Sequence, residues 1–336
     1  MHLEGTVIAG ERLEPVRGRV VVDDGRIEAV EEAATDSTDI VLPAFVNGHT
    51  HVGDSVAKEA GVGLSLDEAV APPDSLKHRR LRAAPREELV AAIRRTARFM
   101  RTTGTGAFLD FREFGREGTL ALREAIDGEA VRSFVFGSED PDVLDVADGF
   151  GASGANDEDF RERREAVRRA GKPFAIHAGE PDDTDIHPAL DLDPDLLVHM
   201  VHARQEHLDR VADQEVPVAV CPRANLVLDV GRPPVADLLG HTTVALGTDN
   251  VMLNEPSMFR EMAHAARAFD VSAREVLGMA TRAGAEIAGL DCGVVEPGRE
   301  ARLLVLDGES DNLAGAEDTI GAVVRRAGVA DVKRVV

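Results

Sequence analysis

Short apolar runs recur along the chain, and stretches with helical spacing separate several of them. The runs are VLPAFVNGHTH (41–51), GTGAFLDFRE (104–113), VRSFVFGSE (131–139), VADGFGASG (146–154), PFAIHAGE (173–180), LLVHMVH (196–202), VPVAVCPRAN (216–225) and TTVALGTDN (242–250). Runs of this length, bounded by turn residues, predict eight strands. Between them REELVAAIRRTARFMRTTG, GTLALREAID, DFRERREAVRRAG and QEHLDRVADQE place apolar residues on one helical face. Strand and helix in alternation predict a parallel sheet, and eight such units predict an α/β fold, a (β/α)8 TIM barrel. The 139–146 connection is short for a helix, and the fourth run is glycine-rich and weak as a strand.

The two flanks have a different rhythm. GTVIAGERLEPVRGRVVVDDGRIEAV, near the start, alternates apolar and polar residues around a DDG turn, and VVEPGREARLLVLD does the same at 294–307. They read as two separate hairpins or as one small β-sandwich domain assembled from both termini. The second reading divides the chain at 1–44, 45–293 and 294–336. Segment 52–85 is long, carries Gly and Pro and directly follows two histidines, as lids over barrel mouths do.

Composition narrows the classes of function. The 336 residues are 43% hydrophobic, enough for a sizeable core. The N-terminus lacks the basic and long apolar segments of a signal peptide, and no apolar stretch reaches membrane-spanning length. Cys221 and Cys292 have no CxxC partner, so neither a disulfide framework nor a thiolate zinc site is expected, and the cytoplasm is the expected location. The net charge is −23, from 61 acidic and 38 basic residues that are nearly all arginine. Such a surface disfavours nucleic-acid phosphates and matches halophilic composition, in which molar salt screens self-repulsion. A small-molecule substrate is the expected partner; a homo-oligomer stays open.

Functional groups in such a barrel gather at the C-terminal strand ends. His49 and His51 end the first strand, and at i and i+2 they point to one face. His177 ends the fifth, His199 the sixth and Asp249 the eighth, while Glu180 lies three residues past His177. Three imidazoles and a carboxylate suit Zn²⁺ or Fe²⁺ with one position left for water. Each histidine taken singly reads as structural; their convergence does not. His202 is a second candidate on the sixth strand, as a substrate contact. His2, His78, His187, His207, His241 and His264 read as structural.

These motifs resemble the amidohydrolase superfamily, in particular its chlorohydrolase-like branch of cytosine-, guanine- and adenosylhomocysteine-type deaminases. The resemblance runs over nearly the whole chain, through PAFVNGHTH, HAGE, VHMVHA, VAVCPRANL, ALGTDN and the tail ATRAGAEIAGLDCGVVEPGREARLLVLD. It implies a (β/α)8 hydrolase holding one metal on His49, His51, His177 and Asp249. His199, and not His202, keeps the family's spacing to CPRAN.

A bound metal lowers the pKa of its water. Asp249 is then expected to accept the water's proton, His199 to orient the nucleophile and a protonated Glu180 to donate to a ring nitrogen. The HxxE element favours deamination of a heterocyclic or nucleoside-like amine. Cleavage of a cyclic amide such as an imidazolone is the alternative, and a non-catalytic decayed barrel a third reading. Lys172 precedes its strand, at the wrong end to bridge a second metal, which leaves Glu139 as the one exception to a single ion. Arg112, Glu113, Arg223, Asn225 and Asn250 sit at strand ends as candidate substrate contacts or as loop ion pairs. With no Trp or Tyr, stacking falls to Phe111, Phe114, Phe259 or arginine.

Overall fold

The computed structural model describes residues 1–336. The chain begins with β1 (His2–Ala9), β2 (Glu14–Asp23), β3 (Arg26–Glu32) and β4 (Ile40–Pro43). The β2–β3 hairpin turns at Asp24–Gly25, both left-handed (φ 44° and 72°), as the DDG signal predicts. Nine parallel-sheet strands come next: β5 (Phe45–His51), β6 (Thr105–Arg112), β7 (Arg132–Gly137), β8 (Gly149–Gly154), β9 (Phe174–Ala178), β10 (Leu196–His199), β11 (Val218–Val220), β12 (Val244–Leu246) and β13 (Asp249–Asn250). The chain finishes with β14 (Leu303–Leu306) and β15 (Val332–Val335).

Both termini build one six-stranded sheet, ordered β15-β14-β4-β1-β2-β3, with its own apolar cluster that includes Val7, Val20, Ile27, Val41 and Leu303. The other sheet runs β12-β11-β10-β9-β8-β7-β6-β5-β13. β13 continues β12 after Gly247–Thr248 and pairs in parallel with β5, Asp249 opposite Thr50 and Asn250 opposite His51. The two ends of this curled sheet therefore meet. Its strands are buried on both faces, β5 and β6 at every residue, which is why they read as continuous apolar runs.

The weak fourth run forms β8 but pairs with β7 through two residue pairs only, and 141–145 is a single 3₁₀ turn. Segment 52–85 is not an open loop. It carries a 3₁₀ turn, α1 (Leu66–Ala69, begun by a Ser65–Glu68 capping box) and α2 (Leu76–Ala83). The predicted outer helices are α3 (Arg86–Thr102), α4 (Gly115–Ile126), α5 (Arg161–Ala170) and, after the short α6 (Ile186–Asp191), α7 (Gln205–Asp213). On α3 the buried Val90, Ile93, Ala97 and Met100 keep the three-to-four spacing that faces a sheet.

Candidate active site at the strand ends

His49 and His51 emerge where β5 stops. Asn47 fixes this point: its Nδ2 donates to Thr248 Oγ1 (2.7 Å) and its Oδ1 accepts from the Thr248 amide (3.1 Å). Gly247 lets the β12–β13 turn approach, because a Cβ there would lie 2.8 Å from the His49 backbone. His199 comes after Val198, which packs inside the curled sheet. Strict alternation would send His199 outward, but its backbone is left-handed (φ 77°) and re-aims the imidazole. Asp249 is also left-handed (φ 56°). Non-glycine residues held this way carry strain of the kind concentrated at functional sites.

These elements bring four imidazoles and two carboxylates together. Ring centroids of His49 lie 4.9 Å from His51, 5.0 Å from His177 and 5.8 Å from His199. Asp249 Oδ1 is 3.4 Å from His49 Nε2 and 3.6 Å from His51 Nε2, while Glu180 Oε2 is 3.5 Å from His199 Nε2. Donor atoms of His49, His177 and His199, of His49, His51 and Asp249, and of Glu180, His199 and Asp249 each lie within 4.8 Å of one another.

The far nitrogens fix the tautomers. His177 Nδ1 donates to the Ala152 carbonyl (2.9 Å), and His51 Nδ1 lies 2.8 Å from Glu113 Oε1. The His177 ring therefore turns a bare Nε2 inward, as metal-ligating histidines do, and the carboxylate beside His51 Nδ1 favours the same tautomer there. His49 is fully buried with neither ring nitrogen hydrogen-bonded, a cost that a bound cation removes. The residues present fit a divalent ion.

The electrostatics divide the groups. Burial, reinforced by neighbouring imidazoles, holds His177 well below its usual range; burial takes His199 down to about 3 and, with Lys77 nearby, His51 to about 4. All three are neutral at pH 7. Burial also acts to raise Asp249, but the approach of His49 outweighs it and holds this carboxyl below its ordinary range. Glu180 goes the other way: burial, then the Asp249 charge, pushes it well above a normal carboxyl, so it holds a proton. Asn225 Nδ2 lies 3.3 Å from His199 Nδ1 and 3.4 Å from Glu180 Oε1. As a donor to Nδ1 it leaves the His199 proton on Nε2, facing Glu180.

A cavity of about 550 Å³ opens over these groups. Phe111, Arg112, Glu113, Phe114 and Asn250 line it together with His51, His177, Glu180, His199 and Asp249. Asn225 is buried behind His199. Several expected contacts lie elsewhere. His202 turns its Nε2 to the Val230 carbonyl (2.9 Å), and Arg223 is tied to Asn254, Glu255 and Glu261; neither lines the cavity. Phe259 packs edge-on against Phe45 in the core. Glu139 lines the outer cavity but belongs to none of the ligand groups, and Lys172 caps the Leu144 and Ala147 carbonyls.

Conversely, His78, expected to be structural, stands in the cavity wall with Lys77, Pro72 and Pro73. Segment 52–85 thus covers the mouth. Lys77, only 4% exposed, and the fully buried Asp54 and Asp110 carried no sequence signal beyond their neighbourhood to the histidines.

Residues 40–335 match the model described as Amidohydrolase family. A putative aminohydrolase of Methanothermobacter thermautotrophicus is 36% identical over 90% of this chain and 90% of its own length. A 5-methylthioadenosine/S-adenosylhomocysteine deaminase of Halobacterium salinarum is 27% identical, covering all of this chain and 89% of the relative. Among solved structures, a zinc-bound adenosine deaminase from Xanthomonas campestris superimposes with a TM-score of 0.84 at 20% identity, covering 99% of this chain and 90% of that one.

Proposed function

Because this chain belongs to the amidohydrolase family, we propose that its mouth site hydrolytically deaminates a heterocyclic or nucleoside-like amine. One observation carries the reading: two buried carboxyls meet the imidazole cluster at one cavity, Asp249 against His49 and His51 and Glu180 against His199, with burial acting to raise Glu180 while Asp249 is held low. Groups driven apart in this way are suited to act as base and acid in one reaction. The names of the aminohydrolase and adenosyl-type deaminase relatives support it.

His49, His51, His177 and Asp249 would hold one divalent ion, Zn²⁺ by preference over Fe²⁺. When bound, the ion supplies Lewis acidity and a water of lowered pKa. Asp249 takes the water's proton at Oδ. His199, neutral and protonated on Nε2, hydrogen-bonds and orients the attacking oxygen. Glu180 gives its proton to the ring nitrogen beside the attacked carbon, the proton held by Asp249 passes to the amino group as the C–N bond breaks and ammonia leaves, and the hydroxyl proton of the adduct returns to Glu180 as the carbonyl forms. Segment 52–85 excludes water from the cavity, with Phe111 or Phe114 against the ring and Asn250, Arg112 and Glu113 as polar contacts. Asn225 positions His199 and Glu180.

Two further readings accompany this one. The curled sheet is a closed eight-stranded barrel in which β12 and β13 are halves of one strand, and the terminal sheet folds over its own core as a small sandwich. This gives the division at 1–44, 45–293 and 294–336. A cytoplasmic location rests on the two free, buried cysteines.

The test is ammonia release, in high salt, across purines, pyrimidines, pterins and adenosyl compounds. With the best substrate, Glu180→Gln is expected to keep its metal and lose about 10²–10⁴-fold in turnover. Turnover within a few-fold of the parent removes Glu180 as proton donor and turns the reading toward cyclic-amide hydrolysis.

A further inference from the structure

Glu113 uses a single oxygen twice. Its Oε1 lies 2.8 Å from His51 Nδ1 and 2.6 Å from Lys77 Nζ, while Oε2 meets the Arg112 guanidinium. Arg112 is itself fixed: it lies flat over Gly53, where a Cβ would overlap the guanidinium, and its Nη1 is 3.5 Å from Asp110 Oδ2. Arg112 is the last residue of β6 and Glu113 stands directly after it, whereas Lys77 arrives on α2, from the segment over the mouth. The start of that segment is anchored by Val52 in the α3 cluster, whereas its later part docks through a separate five-residue apolar cluster, Ala57 and Ala69 against Leu228, Met252 and Leu253, and not through the main 45-residue core. The α1–α2 part, with so small an apolar anchorage, opens more easily than the fold as a whole.

We propose that Lys77 is a positioning residue that couples docking of segment 52–85 to the orientation of His51, and so to the affinity of the mouth for its metal ion. With the segment docked, the ammonium holds Glu113 Oε1 where it meets Nδ1 of His51 and leaves Nε2 turned inward. With α2 undocked while the 3₁₀ turn still holds Gly53 against Arg112, Glu113 keeps only Arg112 and is free to swing its Oε1 away. Carboxylates behind a ligating histidine set ring orientation and basicity. The coupling is reciprocal: whatever factor docking adds to ion affinity, the ion adds to docking. The inference rests on the metal site proposed above, but its readouts need no substrate.

The experiment uses the full chain, stripped of metal and titrated with zinc against a chromophoric chelator, as parent, Lys77→Met and Lys77→Arg. Lys77→Met is expected to weaken zinc about 10–100-fold, the range typical of outer-shell ligand partners, with Lys77→Arg retaining most of the affinity. The rise in melting temperature on adding zinc should shrink in Lys77→Met. In the parent, zinc should slow proteolytic cleavage within 52–85, and in Lys77→Met this protection should be lost. Glu113→Gln, which keeps the shape and removes the charge, should repeat the zinc result if Lys77→Met fails to fold. A merely structural lysine would lower the apo and zinc-loaded melting temperatures equally and leave zinc affinity untouched. That outcome overturns the coupling alone. A parent that binds no zinc overturns the metal site as well.

Discussion

The molecule gathers histidine and carboxylate twice, and the two gatherings differ in what stands behind the rings. At the mouth, His177 Nδ1 faces the Ala152 carbonyl and His51 Nδ1 faces Glu113, both acceptors. Near α6 and α7, His187, Glu206 and His207 also bring donor atoms within 4.8 Å, their two rings 4.5 Å apart. There the far nitrogens meet donors. His187 Nδ1 is 3.0 Å from Arg210 Nη1, and His207 Nδ1 accepts from the Arg204 amide (3.0 Å). The proton is thus displaced onto Nε2 in the outer pair, so each ring has its lone pair already turned to a donor. Arg210 adds a positive charge. Proximity alone makes both clusters look like metal sites; the polarity of the outer partners separates them.

The largest effect that could break this contrast is at His177. Parent protein purified without chelator should carry about one zinc or iron per chain by elemental analysis. His177→Ala should weaken that ion beyond the roughly 10–100-fold seen for outer-shell changes and abolish turnover; a variant that keeps a full equivalent would move the ion out of the mouth. Salt should act on the whole fold and not on either cluster. With −23 net charge, melting in 2 M KCl should exceed that in 10 mM buffer by many degrees, because the Debye length reaches about 30 Å at 0.01 M. Equal melting temperatures would remove the halophilic reading.

The rule that surroundings set protonation can be sharpened at Glu261, fully buried below Arg223 and raised by burial from 4.5 to about 7. Its folded form keeps a proton that the unfolded chain releases. Its contribution to stability is therefore present below pH 4.5 and lost as the pH rises through about 7. Denaturant melts of Glu261→Gln should be less pH-dependent than the parent's in that window, and parallel profiles would show the carboxyl to be ionised. The smallest effect belongs to the outer cluster. His187→Ala with His207→Ala should leave the metal content unchanged and cost on the order of 1 kcal/mol per site, and a fall from two equivalents of metal to one would assign an ion there.

Much of this was legible in the residues. Strands read correctly because parallel strands buried on both faces are continuous apolar runs, and the HTH, HAGE and TDN segments fall where those runs stop. What escaped depends on directions that sequence does not encode. His202 and Arg223 sit close to strand ends, but after a strand ends the backbone no longer alternates, and both side chains turn to carbonyls and, for Arg223, a carboxylate outside the cavity. Lys77 and His78 lie 26 and 27 positions after His51, and only the docking of a helix over the mouth brings them to it. The left-handed turn that aims His199 inward leaves no mark on a composition or a spacing.

The meeting of the sheet's two ends has a consequence for synthesis. His49 lies on the first strand and Asp249 on the last, with the Thr248 amide donating to the His49 carbonyl (2.9 Å) at the seam. A chain emerging from the ribosome presents His49 and His51 early, yet lacks their carboxylate partner until β13 is made. The proposed ligand set would therefore be complete only at the end, and an ion held on it would span the loop from position 49 to position 249. Closing so long a loop restricts the unfolded chain far more than a local clip would. An ion held there would act as a late fastener, indifferent to the nascent chain and holding the finished one.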